Sequence, residues 1–89
     1  MPSSNTYKIL LESRGNRFCI YYGNSAIYCK TIDFDGRAKE IILMDRVYDN
    51  FLYSKSQEDN IYLLCQSRSK NFLLFTYDGE GWHMEELFL

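Results

Sequence analysis

The chain has 89 residues, with ten lysines and arginines against twelve acidic residues and a formal net charge of −2. Proteins that bind nucleic acid neutralise phosphates with a basic stripe, and this sequence has none, so we expect no nucleic-acid partner. No apolar run approaches the ~20 residues that a membrane-spanning helix needs, and we expect no membrane association. A hydrophobic share of 46% with a single proline indicates a globular chain, although a chain this short builds only a small core.

The three cysteines, Cys19, Cys29 and Cys65, all lie within apolar stretches. An odd number argues against the disulfide framework of a small secreted domain, so free, buried thiols are predicted. No two cysteines have the Cys-x-x-Cys spacing of a zinc site, and we expect neither a metal nor another cofactor. The first residues lack the charged and apolar regions of a signal peptide. We therefore expect a soluble, cytoplasmic protein.

The predicted elements are all β-strands, separated by residues that favour turns. Residues 1–5 are small and polar and are expected to form a disordered tail, followed by a single all-β domain over residues 6–89. The predicted strands cover residues 6–13, 17–22, 26–34, 37–45, 51–54, 61–66, 71–77 and 82–88. Asp35-Gly36 is among the strongest short hairpin signals. Several short strands with turn signals between them predict an all-β fold.

The chain also repeats itself once. Residues 18–21 align with residues 62–65 at an offset of 44, and Phe34-Asp35-Gly36 aligns with Tyr77-Asp78-Gly79 at an offset of 43. Each half of the alignment contains four predicted strands. A repeated four-stranded unit of this length has the size of one β-propeller blade.

The second unit carries the more specific signal. Residues 60–64 and 72–82 resemble the blade repeats of bacterial β-propellers, which share two apolar strands, an aromatic-Asp-Gly turn and a tryptophan, here Trp82, that opens the last strand. The first unit departs from this pattern, because Ala38 or Lys39 stands where Trp82 does. The resemblance implies a fold and no particular activity, since propellers host enzymes, lectins and scaffolds.

Two blades cannot close a ring, so the resemblance implies that the chain completes its fold with other copies of itself. The units, about residues 6–45 and 50–89, would be two four-stranded antiparallel blades, and three or four chains would supply six or eight. Unbroken apolar runs at residues 61–65 and 72–75 require cover on both faces of a strand, which neighbouring blades provide. A trimeric or tetrameric homo-oligomer is therefore predicted. The alternatives are a small eight-stranded barrel or sandwich, and a fragment of a longer propeller protein.

The sequence offers no catalytic constellation. His83 is the only histidine, and no Gly-x-Ser-x-Gly motif accompanies it. Glu85 and Glu86 are neighbours in a predicted strand and should point to opposite faces, which separates their carboxylates. We therefore predict that the protein is not an enzyme.

Aromatic residues are the one suggestive set, with eight tyrosines, six phenylalanines and one tryptophan. Most are expected to pack in the core, but Trp82, Tyr53 and Tyr77 lie near predicted turns and are the candidates for contact with a ligand or partner. Tyrosine and tryptophan present flat apolar faces with a polar edge, which suits protein interfaces and stacking against sugars. The predicted function is a non-catalytic binding or interaction module, with a carbohydrate-binding, lectin-like propeller as the alternative.

Overall fold

The computed structural model describes residues 8–87, and every regular element in this part of the chain is a β-strand. In chain order the strands are β1 (Lys8–Ser13), β2 (Asn16–Gly23), β3 (Ala26–Ile32), β4 (Ala38–Asp45), β5 (Val47–Lys55), β6 (Ile61–Ser67), β7 (Phe72–Tyr77) and β8 (Trp82–Leu87). The predicted all-β fold is confirmed. The expected disordered tail, residues 1–5, lies outside the described residues.

The strands form two four-stranded sheets, in which each strand pairs antiparallel with the next along the chain. We refer to β1–β4 as the first sheet and to β5–β8 as the second sheet. The two predicted four-stranded antiparallel sheets are thereby confirmed. Across residues 8–87 the eight strands form two separate layers and do not close into one small barrel.

Two-residue turns with left-handed backbone conformations explain the tight hairpins of the first sheet. Arg14 and Gly15 join β1 to β2 with φ angles of 53° and 83°. Asn24 and Ser25 join β2 to β3 with φ angles of 51° and 65°. Two consecutive residues of positive φ are typical of the type I′ turn, whose twist matches that of the strands it joins.

The hydrophobic core lies between the two sheets, and the alternation of side chains along each strand fills it. Phe18 and Ile20 of β2 are buried, whereas the residues between and beside them are less so. Ile61 and Leu63 of β6 are buried in the same alternating pattern. The buried cluster comprises Phe18, Ile20, Tyr22, Ile27, Cys29, Val47, Ile61, Leu63, Cys65, Leu73 and Phe75. Each sheet therefore covers one face in this core and presents its other face outward.

Equivalent turns of the two sheets lie against each other. The Ser13 hydroxyl at the β1–β2 turn donates a hydrogen bond to the Asp59 carbonyl at the β5–β6 turn, over 2.6 Å. Arg68 at the β6–β7 turn donates to the Ser25 hydroxyl at the β2–β3 turn, over 3.3 Å. The β3–β4 and β7–β8 turns border one cleft. The sheets are thus related by a rotation that keeps strand order and strand direction.

A single residue, Arg46, links the sheets, and its φ angle is 57°. Val47 follows it and is fully buried. The Val47 amide donates to the Ser25 carbonyl, and the Tyr22 hydroxyl donates to the Val47 carbonyl, both over 3.0 Å. The sequence-based start of this strand, at residue 51, is wrong by four residues, because no glycine or proline marks the link.

The strand pairings correct one part of the repeat alignment. Ile32 pairs with Arg17 as Tyr77 pairs with Ile61, so Ile32 is the equivalent of Tyr77. The alignment of Phe34 with Tyr77 is therefore wrong. The β3–β4 turn spans residues 33–37 and the β7–β8 turn residues 78–81. The Asp-Gly pair occupies the third and fourth positions of the first turn but the first and second positions of the other, so aligning the two pairs shifted the alignment by two residues.

The corrected alignment makes Asp33 the equivalent of Asp78, since each follows directly on these strands. Both side chains play the same part: each accepts a hydrogen bond from a backbone amide two residues further on, over 3.0 Å. This Asx arrangement stabilises a turn without help from the rest of the chain. Ala38 remains the equivalent of Trp82, since Ala38 pairs with Ile32 as Trp82 pairs with Tyr77.

Candidate functional site

A cleft of about 800 Å³ opens between the two sheets, beside the β3–β4 and β7–β8 turns. We call it the inter-sheet cleft. Its lining residues are Thr31, Asp33, Arg37, Ala38, Lys39, Ile41, Tyr77, Glu80, Gly81 and Trp82. Two of the three predicted contact residues, Tyr77 and Trp82, therefore meet in one site, and the third, Tyr53, does not.

The aromatic wall of the inter-sheet cleft rests on the core. The Tyr77 and Trp82 ring centroids are 5.4 Å apart, with an angle of 50° between the ring planes. Phe18 packs edge-on against both, with centroid distances of 4.8 Å to Tyr77 and 6.3 Å to Trp82. Since Phe18 is 1% exposed, the two half-buried rings are held from beneath and present their remaining surface to the cleft. Both rings thus belong to the core and to the cleft.

The cationic side of the cleft comes from the first sheet. Arg37 directly precedes β4, and Lys39 is the second residue of that strand. Among the described residues, no acidic side chain forms an ion pair with either of them. Asp33 and Glu80 bring two carboxylates to the same cleft, so its formal charge is balanced. Aromatic rings combined with both donors and acceptors suit a polar ligand that makes hydrogen bonds, such as a sugar or a peptide segment.

The carboxylate of Asp78 is committed to the β7–β8 turn. One of its oxygens accepts the Glu80 amide, and the other lies 3.0 Å from Nε2 of His83. The hydrogen bond from the Glu80 amide and the nearby His83 ring lower the pKa of Asp78 below its ordinary value. The His83 ring thus contributes to this turn.

Tyr53 lies at a different place, on the edge strand β5, and 53% of its surface is exposed. It borders a second hollow of about 440 Å³, together with Ile9, Phe51, Leu52 and Leu64. This hollow is mainly apolar and follows the free edge of the second sheet. It offers contact area and few polar groups to orient a small ligand.

The cysteines provide no reactive thiol in the core. All three are free, and Cys29 and Cys65 are buried. Burial raises the pKa of the Cys29 thiol, and it raises the pKa of Cys65 to about 11. Because the thiolate is the nucleophile and the metal ligand, these two groups are inert at neutral pH. Within residues 8–87, no cluster of three or more histidine, cysteine or acidic side chains is placed to hold a metal ion.

Among the cleft residues that the sequence analysis did not indicate, Arg37 and Lys39 supply the positive charge. They belong to the first repeat, whereas the aromatic residues belong to the second, and only the stacking of the sheets brings the two sets together. A signal existed in principle, since equivalent turns of adjacent blades lie side by side in the fold that the repeat suggested.

Comparison with protein-family models, with curated proteins and with solved structures finds no match to this chain. In the part of the chain that the structure describes, no helix is long and apolar enough to cross a membrane.

Proposed function

We propose that this chain is a non-catalytic binding and interaction module, whose two sheets act as propeller-like blades in a homo-oligomer of three or four chains. The supporting observation is the exposure of large apolar side chains on both outer faces. Leu10 and Ile42 on the first sheet are 77% and 58% exposed, and Leu52 on the second is 70% exposed. Exposed apolar surface of this kind, on opposite sides of a small protein, is typical of interaction sites.

The polar groups of the described residues favour binding over catalysis. Asp33, Asp78 and Asn60 take part in turns, and the His83 ring pairs with Asp78. A catalytic site needs a nucleophile and a base within hydrogen-bond reach of each other. The unpaired cysteines also support the proposed location in the reducing cytoplasm.

Light scattering behind size exclusion, at two protein concentrations, tests the oligomer. A trimer or tetramer has a mass of 3 × 10.6 or 4 × 10.6 kDa. A soluble species of 10.6 kDa at both concentrations would contradict the proposal and leave a monomeric two-layer protein.

A carbohydrate-binding function is the second candidate, and the inter-sheet cleft favours it. Trp82 and Tyr77 provide adjacent aromatic faces, and Arg37 and Lys39 provide hydrogen-bond donors that no other side chain of the described residues engages. In this proposal a sugar ring stacks on the aromatic wall, and its hydroxyl groups bind the charged side chains opposite.

Trp82 is the only tryptophan, so its fluorescence reports directly on the cleft. We would titrate the protein with a panel of neutral and acidic oligosaccharides and follow the emission. Binding should weaken in Arg37→Ala and Lys39→Ala, which retain the fluorophore, and remain in the control Lys70→Ala, an exposed residue outside the cleft. Unchanged emission across the panel would reject the carbohydrate function.

A further inference from the structure

The two repeats use opposite faces of their sheets at the contact between them. Strand pairing makes Phe18 the equivalent of Tyr62, since Phe18 pairs with Leu11 and Thr31 as Tyr62 pairs with Ser54 and Thr76. Phe18 is buried between the sheets, whereas Tyr62 alternates with buried residues and lies on the outer face of the second sheet.

The same inversion holds along the next pair of strands, β3 and β7, where Cys29 is buried and its equivalent Leu74 is only half-buried. We define the front face of each sheet by the equivalents of Phe18 and the back face by those of Leu63. In the first sheet, the front face is inside and the back face, with Leu10, Cys19 and Tyr28, is outside. In the second sheet, the back face is inside and the front face, with Leu52, is outside. The contact within the chain is therefore front to back.

A front-to-back contact leaves two different surfaces open, and they are the two halves of a further contact of the same kind. The open front face of the second sheet has the positions that already pack on a back face inside the chain. Leu52 takes the place of Ile9, Leu64 that of Ile20, and Leu74 that of Cys29. At these three positions the side chain stays apolar although the face is open.

The open back face of the first sheet is suited to receive it. Its apolar and aromatic residues are Leu10, Cys19, Tyr21, Tyr28, Ile32 and Ile42. The Tyr21 and Tyr28 rings stack at 5.0 Å with an angle of 11°, which gives a flat centre. This face also carries Arg17 and Lys30 beside Glu12 and Glu40, whereas the charged strand residue on the open front face is Glu85.

We propose that copies of this chain associate head to tail, with the front face of the second sheet in one copy packed on the back face of the first sheet in the next. This inference rests on the proposed homo-oligomer and defines its contact. Tyr62 of one copy then lies against Ile32 and Ala38 of the next, as Phe18 lies against their equivalents Tyr77 and Trp82 within the chain.

The head-to-tail contact has a consequence for the cleft. The site between two copies combines the β7–β8 turn of one with the β3–β4 turn of the next, where Ile32 and Ala38 replace Tyr77 and Trp82. A ring therefore contains two kinds of cleft in alternation, and only the cleft within each chain has an aromatic wall. Such contacts continue from copy to copy until a ring closes, or else build a filament.

Two matched variants test the direction of the contact. Leu52→Arg places a charge on the open front face, and Leu10→Arg places one on the open back face. Both leucines are largely exposed, at 70% and 77%, so the fold does not depend on them. Circular dichroism checks the fold of each variant, and Gln57→Arg, in the exposed β5–β6 turn, is the control that keeps the wild-type mass.

We expect each variant alone to have a mass of 10.6 kDa by light scattering, because every contact needs one intact face of each kind. An equimolar mixture retains one intact front face and one intact back face, so it should give a species of 2 × 10.6 kDa and nothing larger. If only one variant loses the wild-type assembly, like faces pair and the head-to-tail contact is refuted, while the homo-oligomer stands. Wild-type mass in both variants, or a monomeric mixture, also refutes it. A monomeric wild-type protein instead refutes the proposed homo-oligomer itself.

Discussion

The hydroxyl of Ser13 and the carbonyl of Asp59 lie 2.6 Å apart and join the first turn of one sheet to the first turn of the other. Ser13 is 1% exposed, so this hydrogen bond is shielded from water. Arg14 extends the contact with donor distances of 2.9 Å to the Glu58 carbonyl, 3.0 Å to the Asp59 carbonyl and 2.6 Å to Oδ1 of Asn60. We call these five residues the turn clamp.

Replacing the arginine of the turn clamp should weaken the contact between the sheets. Since Arg14 is exposed, we expect Arg14→Ala to lower the free energy of unfolding by only about 1 kcal/mol, the usual net contribution of such hydrogen bonds. Arg14→Lys should recover part of the loss, because an ammonium group lacks the planar fork of a guanidinium. Urea denaturation measures both, with Arg37→Ala as the control. An equal loss in the control would show that the clamp has no special role.

Comparing alanine substitutions at two glycines distinguishes the cost of backbone strain from the cost of a steric clash. Gly36 and Gly79 have φ angles of 84° and 99°, so alanine at either site costs roughly 1–2 kcal/mol in backbone strain. A Cβ at Gly79 also comes within 2.9 Å of Nε of Arg14, which the turn clamp holds, whereas a Cβ at Gly36 meets nothing within 4 Å. Gly79→Ala should therefore lower the urea midpoint more than Gly36→Ala. Equal midpoints would mean that Arg14 moves aside freely.

Alanine substitution should destabilise the protein much more at Phe18 than at its equivalent Tyr62. Phe18→Ala removes a buried ring and should cost about 3–5 kcal/mol, enough to unfold much of a small domain. Tyr62→Ala changes a half-exposed ring and should cost roughly 1 kcal/mol in the single chain. Thermal unfolding of the monomeric Leu52→Arg background measures both without interference from assembly. A comparable loss for the two variants would contradict the inversion of faces.

The Tyr21 hydroxyl predicts a stability change at high pH. It donates a hydrogen bond to the Glu40 carboxylate, which, with partial desolvation and the negative charge of Glu40, raises the pKa of Tyr21 to about 12. A raised pKa means that the folded state favours the neutral phenol, so this contribution is complete below pH ~10 and is lost as the pH rises towards 12.

Glu40→Gln removes the charge, so the tyrosine should ionise at lower pH. We expect the phenolate absorbance of this variant to rise earlier than that of the wild type. Glu12→Gln, on the same sheet face, should behave as the wild type, because Glu12 does not contribute to the shift. Identical absorbance curves for all three proteins would exclude the Tyr21–Glu40 interaction.

The three thiols should differ in reactivity. Cys19 lies partly exposed on the open back face, whereas burial raises the pKa of both Cys29 and Cys65. A thiol alkylating reagent followed by mass spectrometry should modify one site in the native monomer and three after denaturation. Cys19→Ser is the control and should leave the native protein unmodified. In an assembled head-to-tail sample, Cys19 should also be protected, and its full reactivity there would place the contact elsewhere.

The sequence predicted the strands well because local chemistry specifies them. The apolar run at Ile61–Ser67 and the turn signal at Asp78-Gly79 each lie where the structure has the expected element. The sequence also predicted cover on both faces of the apolar strand over residues 61–65. Within one chain only one face is covered, since Leu64 faces outward and is only half-buried. In the proposed homo-oligomer a second copy covers that face, and a single sequence does not display such a contact.

The inter-sheet cleft was predicted only in part, for a physical reason. Trp82 and Tyr77 adjoin turns, and aromatic residues in that position are visible in the sequence. Arg37 and Lys39 join them through contacts between the sheets, as does Arg14 in the turn clamp. Long-range stacking of this kind follows from the angle between the sheets, which the one-residue link at Arg46 helps to fix and which no local pattern encodes.

The one-residue connection between the sheets, Arg46, is held firmly in place. Its carbonyl accepts a hydrogen bond from the Arg68 amide over 2.7 Å, and the next residue, Val47, is fully buried. The angle between the two sheets of one chain is therefore set when the chain folds. In the proposed homo-oligomer, the contacts between copies would then be the only adjustable ones, and closure of a ring would depend on how their angle compares with the angle fixed within each chain. Inserting residues beside Arg46 would loosen the connection between the two sheets of one chain and leave the contacts proposed between copies unchanged.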